Sequence, residues 1–200
     1  GQTNFNIVGL TDVSIQEAKS RIYSAIKNSN FDYPFNFRIL VNLAPADLHK
    51  EGPAYDLPMA IGILSVSCGH FFNLDDSLFV GELALDGSLR HTNSILPITL
   101  FAKKEGFKNI FLPACDAPEA ALVEGIEIYP VKNITQLIDH LLKKELIKEY
   151  QRPDKWDEFS YTESDMDMSL VKGQEFVKRA LEIASSGAHN ILMSGPPGSG

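Results

Sequence analysis

Asn190-Ile191-Leu192-Met193-Ser194-Gly195-Pro196-Pro197-Gly198-Ser199-Gly200 closes the sequence. Asn190 to Met193 reads as a short buried strand, and Ser194 to Gly200 as a glycine-rich loop. Gly195, four residues and Gly200 match the front of the phosphate-binding pattern G-x-x-x-x-G-K-[ST]. Small residues in such a loop let several backbone N–H groups converge on phosphate oxygens ahead of a helix N-terminus. A lysine then neutralises the terminal phosphates, and a Ser or Thr holds Mg2+. The sequence stops one residue before that lysine is due. Residues 1–200 by themselves are therefore expected to bind ATP weakly or not at all.

Upstream of the loop, Leu170-Val171-Lys172-Gly173-Gln174 opens a helix. Phe176, Val177, Ala180, Leu181 and Ala184 form its apolar stripe, and Gly187 ends it. Further back, Lys143 to Asp167 is charged and lacks periodic apolar residues, so it reads as a linker. Trp156 and Phe159 within it are expected to pin it to a domain surface.

The first 145 residues alternate strand and helix patterns, which makes an α/β domain. Phe5–Val8 is a strand ended by Gly9. Ser14 and Glu17 form a capping box ahead of a helix with Ala18, Ile22, Ala25 and Ile26 on one stripe, ending near Asn28–Asn30. Arg38–Leu43 reads as a largely buried strand. A long loop, Ala44–Tyr55, leads to Asp56, read as the cap of a helix that is apolar nearly all round from Met59 to Cys68 and so central. Ser77–Leu85 is strand-rich. Asp86-Gly87 signals a type I′ hairpin turn returning as Ser88–Arg90. Ile95–Glu105 is helical and stopped by Gly106. Asn109–Pro113 is a strand, Ala117–Val123 a short helix and Ile126–Val131 a strand. Asn133 caps a last helix reaching about Leu142.

The 200 residues carry a net charge of −8, which argues against a broad basic nucleic-acid face on this stretch. No apolar run is long enough to span a bilayer. The opening residues have neither the basic nor the apolar region of a signal peptide, and the entry from Gly1 almost directly into a strand suggests that a preceding strand is missing. Cys68 and Cys115 are far apart in sequence and read as buried, reduced thiols of a cytoplasmic protein. His49, His70, His91, His140 and His189 show no ligand spacing, so no metal is assigned.

Val171-x-Gly173-Gln174-x-x-x-x-Arg179-Ala180-Leu181-Glu182-Ile183-Ala184, followed by Gly187-x-His189-Asn190 and the closing loop, resembles the opening of an AAA+ ATPase of the magnesium-chelatase-like, ComM-type family. Ile7-Val8-Gly9-Leu10-x-Asp12, Val41–Asp47, Lys50-Glu51-Gly52 with Asp56-Leu57-Pro58, and Gly81-Glu82-Leu83-Ala84-Leu85-x-Gly87 resemble that family's N-terminal domain. The resemblance implies residues 1–145 as a Lon-protease-like domain of the ribosomal protein S5 domain 2-like fold, with a left-handed βαβ crossover. It implies 146–167 as linker and 168–200 as the start of the AAA+ module, truncated in the loop. Val171, Gly173 and Gln174 would lie beside the adenine. Gly195, Pro196, Pro197, Gly198, Ser199 and Gly200 would cradle the phosphates.

Lon-type peptidases use a serine in a Gly-Pro-Ser context and a lysine in the helix after the hairpin. Here Gly52-Pro53 is followed by Ala54, and ungapped alignment from Gly81 places the lysine position on Leu96. Both catalytic groups are absent, so no peptidase is expected. Asp47, Lys50, Glu51 and Glu82 read as loop solvation and caps, and Thr92 and Ser94 as hydroxyls without an evident base. For the full-length protein the resemblance implies ATP and Mg2+, a ring that is a hexamer, branched DNA as substrate and a cytoplasmic location. The alternatives are a metal-insertion motor, disfavoured because the chelatase motor module is not preceded by such a domain, and a pure scaffold.

Overall fold

The computed structural model describes residues 5–9, 13–44, 52–67, 69, 72, 74–152 and 168–196. Two compact units, Gly1–Arg152 and Pro153–Gly200, divide the chain. The expectations for Asp47, Lys50, Glu51, Cys68, Trp156, Phe159 and Pro197–Gly200 lie outside the described residues.

In the first unit, β1 (Phe5–Val8) runs through α1 (Val13–Asn28) to β2 (Ile39–Asn42). The strands pair in parallel, Phe5 opposite Ile39 and Val8 opposite Asn42. A parallel pair requires a crossover, which α1 supplies. Its stripe of Ile15, Ala18, Ile22, Ala25 and Ile26 is fully buried. The helix begins at Val13, so Ser14 stands inside its first turn and not at the cap. At the other end Asn30 takes φ 60°, and its N–H reaches Lys27 O at 3.1 Å while Phe31 N–H reaches Ile26 O at 3.2 Å. That left-handed closure satisfies carbonyls the last turn would leave open. β2 departs from the expectation of a buried strand. It alternates half-buried and exposed, with Leu40 63% exposed. The alternation follows from the pleat, which sends successive side chains to opposite faces, and the face carrying Leu40 and Asn42 is uncovered.

A 3-10 turn, Pro53–Tyr55, enters α2 (Asp56–Ser67), whose Leu57, Met59, Ala60, Ile61, Ile63 and Leu64 are buried. The expected central position holds for that face, whereas Val66 is exposed. Asp56 is not spent on capping. Its carboxylate accepts from Arg21 Nε at 2.7 Å, Arg21 Nη2 at 3.1 Å and Leu83 N at 3.2 Å. One buried charge thus joins α1, α2 and the strand that carries Leu83. Burial pushes the Asp56 carboxyl above its ordinary value, and the guanidinium opposes that push. The hydrogen bond to Asp56 in turn raises Arg21.

β3 (Ser77–Phe79) is followed by a hairpin of β4 (Glu82–Leu83) and β5 (Leu89–Arg90), Leu83 opposite Leu89. The hairpin is where the sequence places it, but the turn differs. Gly87 N–H bonds Ala84 O at 3.0 Å and Ala84 N–H bonds Ser88 O at 2.9 Å, which makes a three-residue loop. Only Gly87 has positive φ in it, at 85°, so the turn is not type I′. Asp86 instead keeps a negative φ and accepts from Ser88 N at 2.9 Å. Next come α3 (Ile95–Lys104), β6 (Asn109–Pro113), α4 (Ala117–Ala120), β7 (Glu127–Val131) and α5 (Ile134–Leu141). Gly106, at φ 85°, ends α3, and Asn133 caps α5 by accepting from Gln136 N at 2.9 Å. α4 is shorter than expected, ending at Ala120.

β3, β6 and β7 form a parallel sheet in the order β3-β6-β7. Its register aligns Phe79, Phe111 and Tyr129, whose rings stack at 4.8 Å across each pair. His140 of α5 meets Phe111 edge-on at 5.2 Å, so α5 covers this face. Two cores result. One gathers α1, α2 and the face under α5; the other lies between the sheet, α3 and α4. Residues after α5 stay on this unit: Ile147 is buried, and Tyr150 N–H bonds Ile128 O at 2.7 Å.

The second unit contains a 3-10 turn (Met168–Leu170) and α6 (Glu175–Ser186). The expected strand at Asn190–Met193 is absent, and these residues are exposed. A strand is defined by a ladder, and no partner strand occurs among the described residues of this unit. Helix α6 stops at Gly187 as expected, yet Gly187 has φ −101° and Ala188 supplies the left-handed residue, φ 51°. The exposed His189 ring lies over Gly187 and would have to turn aside for a Cβ there.

Arg21→Met should cost about 3–5 kcal/mol in urea or thermal unfolding, because Asp56 is left as an unpaired buried charge. With the guanidinium gone, the folded-state carboxyl rises further above its unfolded value. Stability is then lost as pH climbs from about 4 towards 7, and the deficit is larger at pH about 7. Arg21→Met/Asp56→Asn should recover a large part of it, since the amide oxygen still accepts from Leu83.

Candidate functional site

The first unit carries a cleft of about 710 Å³ where the sheet's carboxyl ends meet the hairpin exit. Leu78, Phe79 and Val80 from the end of β3, Pro53–Tyr55, and His91–Ser94 line it. Open α/β sheets place ligands in that crevice. The cleft is fixed by a short ladder. Gly81 N–H bonds Ala54 O at 3.0 Å, Leu57 N–H bonds Gly81 O at 3.1 Å, and Leu83 N–H reaches Asp56. Gly81 packs closely under Leu89: a Cβ here would sit 3.1 Å from Leu89 Cδ2, so that side chain would have to shift slightly.

Ala54 lines the cleft with a methyl where a nucleophile would need a hydroxyl. Leu96 packs against the second core, and its N–H donates to Glu119 Oε1 at 2.8 Å. Glu119 thereby caps the start of α3, where Ser94 makes no side-chain cap and sits at φ 64°. Thr92 is buried, with its hydroxyl donating to Arg90 O at 3.4 Å. Glu82 lines the cleft and pairs with Arg90 at 3.9 Å.

One pairing was not visible in the sequence. His91 Nδ1 lies 2.5 Å from Asp116 Oδ1, and the other Asp116 oxygen accepts from Thr92 N at 2.9 Å. Asp116 is buried and His91 exposed, and Cys115 is exposed as well, against the expectation of a buried thiol, because it lies in the turn beyond the end of β6. The hydrogen bond to Asp116 raises His91, and Cys115 Sγ stands 3.5 Å from the same Oδ1. Burial, with the neighbouring carboxylate, pushes the Cys115 thiol up, so it is no activated nucleophile. Twenty-five residues separate His91 from Asp116, and the pairing arises only when β6 brings its end beside the exit of β5.

The nucleotide-site residues belong to the second unit. Val171, Gly173 and Gln174 stand at the start of α6, with Gly173 at φ 72° and Gln174 at φ 59°. Gly195 and Pro196 follow its other end and are exposed. The 12 residues of α6, about 18 Å of helix, lie between the two groups. Gly198, Ser199, Gly200 and Pro197 are outside the described residues. Among the described residues no helix is long and apolar enough to cross a membrane.

These features define a mixed α/β protein with parallel sheets, whose larger unit is built around a cleft at the strand ends. The chain matches the family described as subunit ChlI of Mg-chelatase over residues 1–116, and magnesium chelatase, subunit ChlI, over 167–200. It is 38% identical to the competence protein ComM of Haemophilus influenzae and 39% identical to the uncharacterised protein YifB of Escherichia coli, each across the whole chain. The chain covers 39% and 38% of those proteins, respectively. A weaker similarity, 29% identity over 120 residues, reaches Lon protease 2 of Bacillus subtilis, covering 58% of this chain and 20% of that one. The chain belongs to the magnesium-chelatase-like family that includes ComM.

Asp116→Ala should destabilise the first unit by about 1–3 kcal/mol in chemical unfolding, because the buried Thr92 N–H loses its acceptor. His91→Ala takes one partner from the buried Asp116 carboxylate but leaves the Thr92 N–H on its other oxygen, and should cost less, about 0.5–1.5 kcal/mol.

Proposed function

We propose that the full-length protein is an AAA+ motor that uses ATP and Mg2+ to remodel branched DNA in recombination or transformation. It works as a hexameric ring in the cytoplasm, with a Lon-like, S5-domain-2-like front module that has no peptidase activity. The observation that carries this reading is the closing Gly195-Pro196-Pro197-Gly198-Ser199-Gly200 run behind α6, in a chain of the magnesium-chelatase-like family. The described part of that run suits a phosphate: Gly195 has no Cβ to obstruct an oxygen, and the segment is exposed. Val171, half-turned to solvent beside Gly173 and Gln174, suits an adenine face. Bound Mg-ATP would supply phosphoryl-transfer free energy. Residues 195–200 would hold its phosphates by backbone N–H groups and 171–174 would orient the base.

The absence of a peptidase rests on Ala54 and Leu96. The competence protein among the relatives favours the DNA reading, and the family description keeps a metal-insertion motor as the second reading. A protein of the relatives' full length should hydrolyse ATP, accelerate several-fold with four-way-junction DNA, and leave casein intact. ATP hydrolysis indifferent to DNA but stimulated by a metal–porphyrin system would favour the second reading. Absence of hydrolysis would remove both. Residues 1–200 alone should give no calorimetric Mg-ATP signal at micromolar concentration, and tight binding would contradict the assigned need for the lysine.

A further inference from the structure

We propose that His91, Cys115 and Asp116 form a zinc-class metal site at the rim of the cleft, with three protein ligands and one open position. Among the described residues this is the one place where three such groups converge, their ligand atoms all within 4.8 Å of one another. The proposal is independent of the nucleotide reading, which concerns the other unit.

The ligand set is mixed and borderline-soft. Imidazole nitrogen, thiolate sulfur and carboxylate oxygen are the three donor types that zinc accepts, and hard cations such as Mg2+ or Ca2+ avoid thiolate. Three protein ligands beside a cavity are the pattern of zinc sites that keep a position for water or substrate. The supporting contacts are already built. Asp116 is buried, and its Oδ2 is held by the Thr92 N–H at 2.9 Å, which leaves Oδ1 to turn towards His91 and Cys115. Ligating carboxylates in metal sites are oriented by such outer hydrogen bonds. Asp116 and Cys115 sit in the 3-10 turn that closes β6, so both are carried by the rigid sheet.

The fit requires the imidazole to swing away from Asp116 Oδ1 and towards Cys115 Sγ, since the three ligand atoms are spread over as much as 4.8 Å. Ligand atoms around a tetrahedral zinc stand roughly 3.3–3.6 Å apart, from bonds of about 2.0–2.3 Å. Cys115 Sγ and Asp116 Oδ1 are at 3.5 Å, within that range, whereas His91 Nδ1 and Asp116 Oδ1 are at 2.5 Å, because they share a proton. Zinc would displace that proton and the thiol proton, and the imidazole would withdraw by roughly 1 Å. The His91 side chain is 62% exposed and has room to do so. His91 lines the cleft, so the fourth position would face its interior.

The test uses the 200-residue chain, stripped with EDTA and kept reduced with a non-chelating phosphine. Titrated Co2+ should give one equivalent of tetrahedral absorption with a thiolate-to-cobalt charge-transfer band. Zn2+ should displace it. Cys115→Ser should abolish the band, and His91→Ala and Cys115→Ser should each weaken Zn2+ binding at least about tenfold. Both side chains are exposed, and far-ultraviolet circular dichroism should show both variants folded like the parent. Cys68→Ser should bind as the parent does. A missing charge-transfer band, unchanged affinity in either His91→Ala or Cys115→Ser, or an equal loss in Cys68→Ser would overturn the site.

Discussion

The first unit depends on a single buried charge. Asp56 sits at the start of a nearly all-apolar helix, with its carboxylate out of water. An ion in that position is tolerated only when its oxygens are fully engaged. Arg21 supplies a two-pronged contact from α1, and the Leu83 N–H supplies a third bond from β4. Apolar packing alone would let α1 slide along α2, because it has no direction. The charge-assisted bonds do have direction, and they fix which turn of α1 faces the start of α2. The same point fixes the chain entering α2, so the position of Ala54 in the cleft wall follows from it.

That dependence explains how a cleft can persist without the chemistry its resemblance suggests. Its walls are held by backbone bonds among Ala54, Leu57 and Gly81, by the Leu83 N–H on the Asp56 carboxylate, and by the packing of Leu89 over Gly81. None of these needs a nucleophile or a lysine. The frame therefore stands with Ala54 and Leu96 in place, and both pack against the second core. Polar groups concentrate at the other side of the cleft, where Asp116 anchors Thr92 and His91. The family relationship gives the frame its context, and these residues give it its local chemistry.

The sequence was most legible where the governing interaction is local. Asn133 caps α5, Gly106 ends α3, and the Ile22–Ala25–Ile26 stripe is buried, because each depends on residues within one or two turns. The Asp86-Gly87 hairpin was placed correctly but given the wrong turn, since the dipeptide alone does not count loop residues. Asp56 read as a cap because its real partners are 35 and 27 residues away. β2 reads as buried because an apolar run does not reveal whether both faces of its strand will be covered. The expected strand at Asn190–Met193 has no ladder, because pairing requires a second strand. The His91–Asp116 contact was not legible, because only the strand order brings those residues together.

Amide hydrogen exchange resolved by residue tests the central role of the buried pair most directly. Leu83 N–H is a two-residue-strand amide bonded to a side chain, and on its own it would be expected to open with the adjoining turn. If the Asp56–Arg21 pair ties β4 to both helices, Leu83 should exchange as slowly as the interior amides of α1 and α2, at the free energy of global unfolding. Exchange of Leu83 together with the Asp86–Ser88 turn, while α1 and α2 stay protected, would contradict the account.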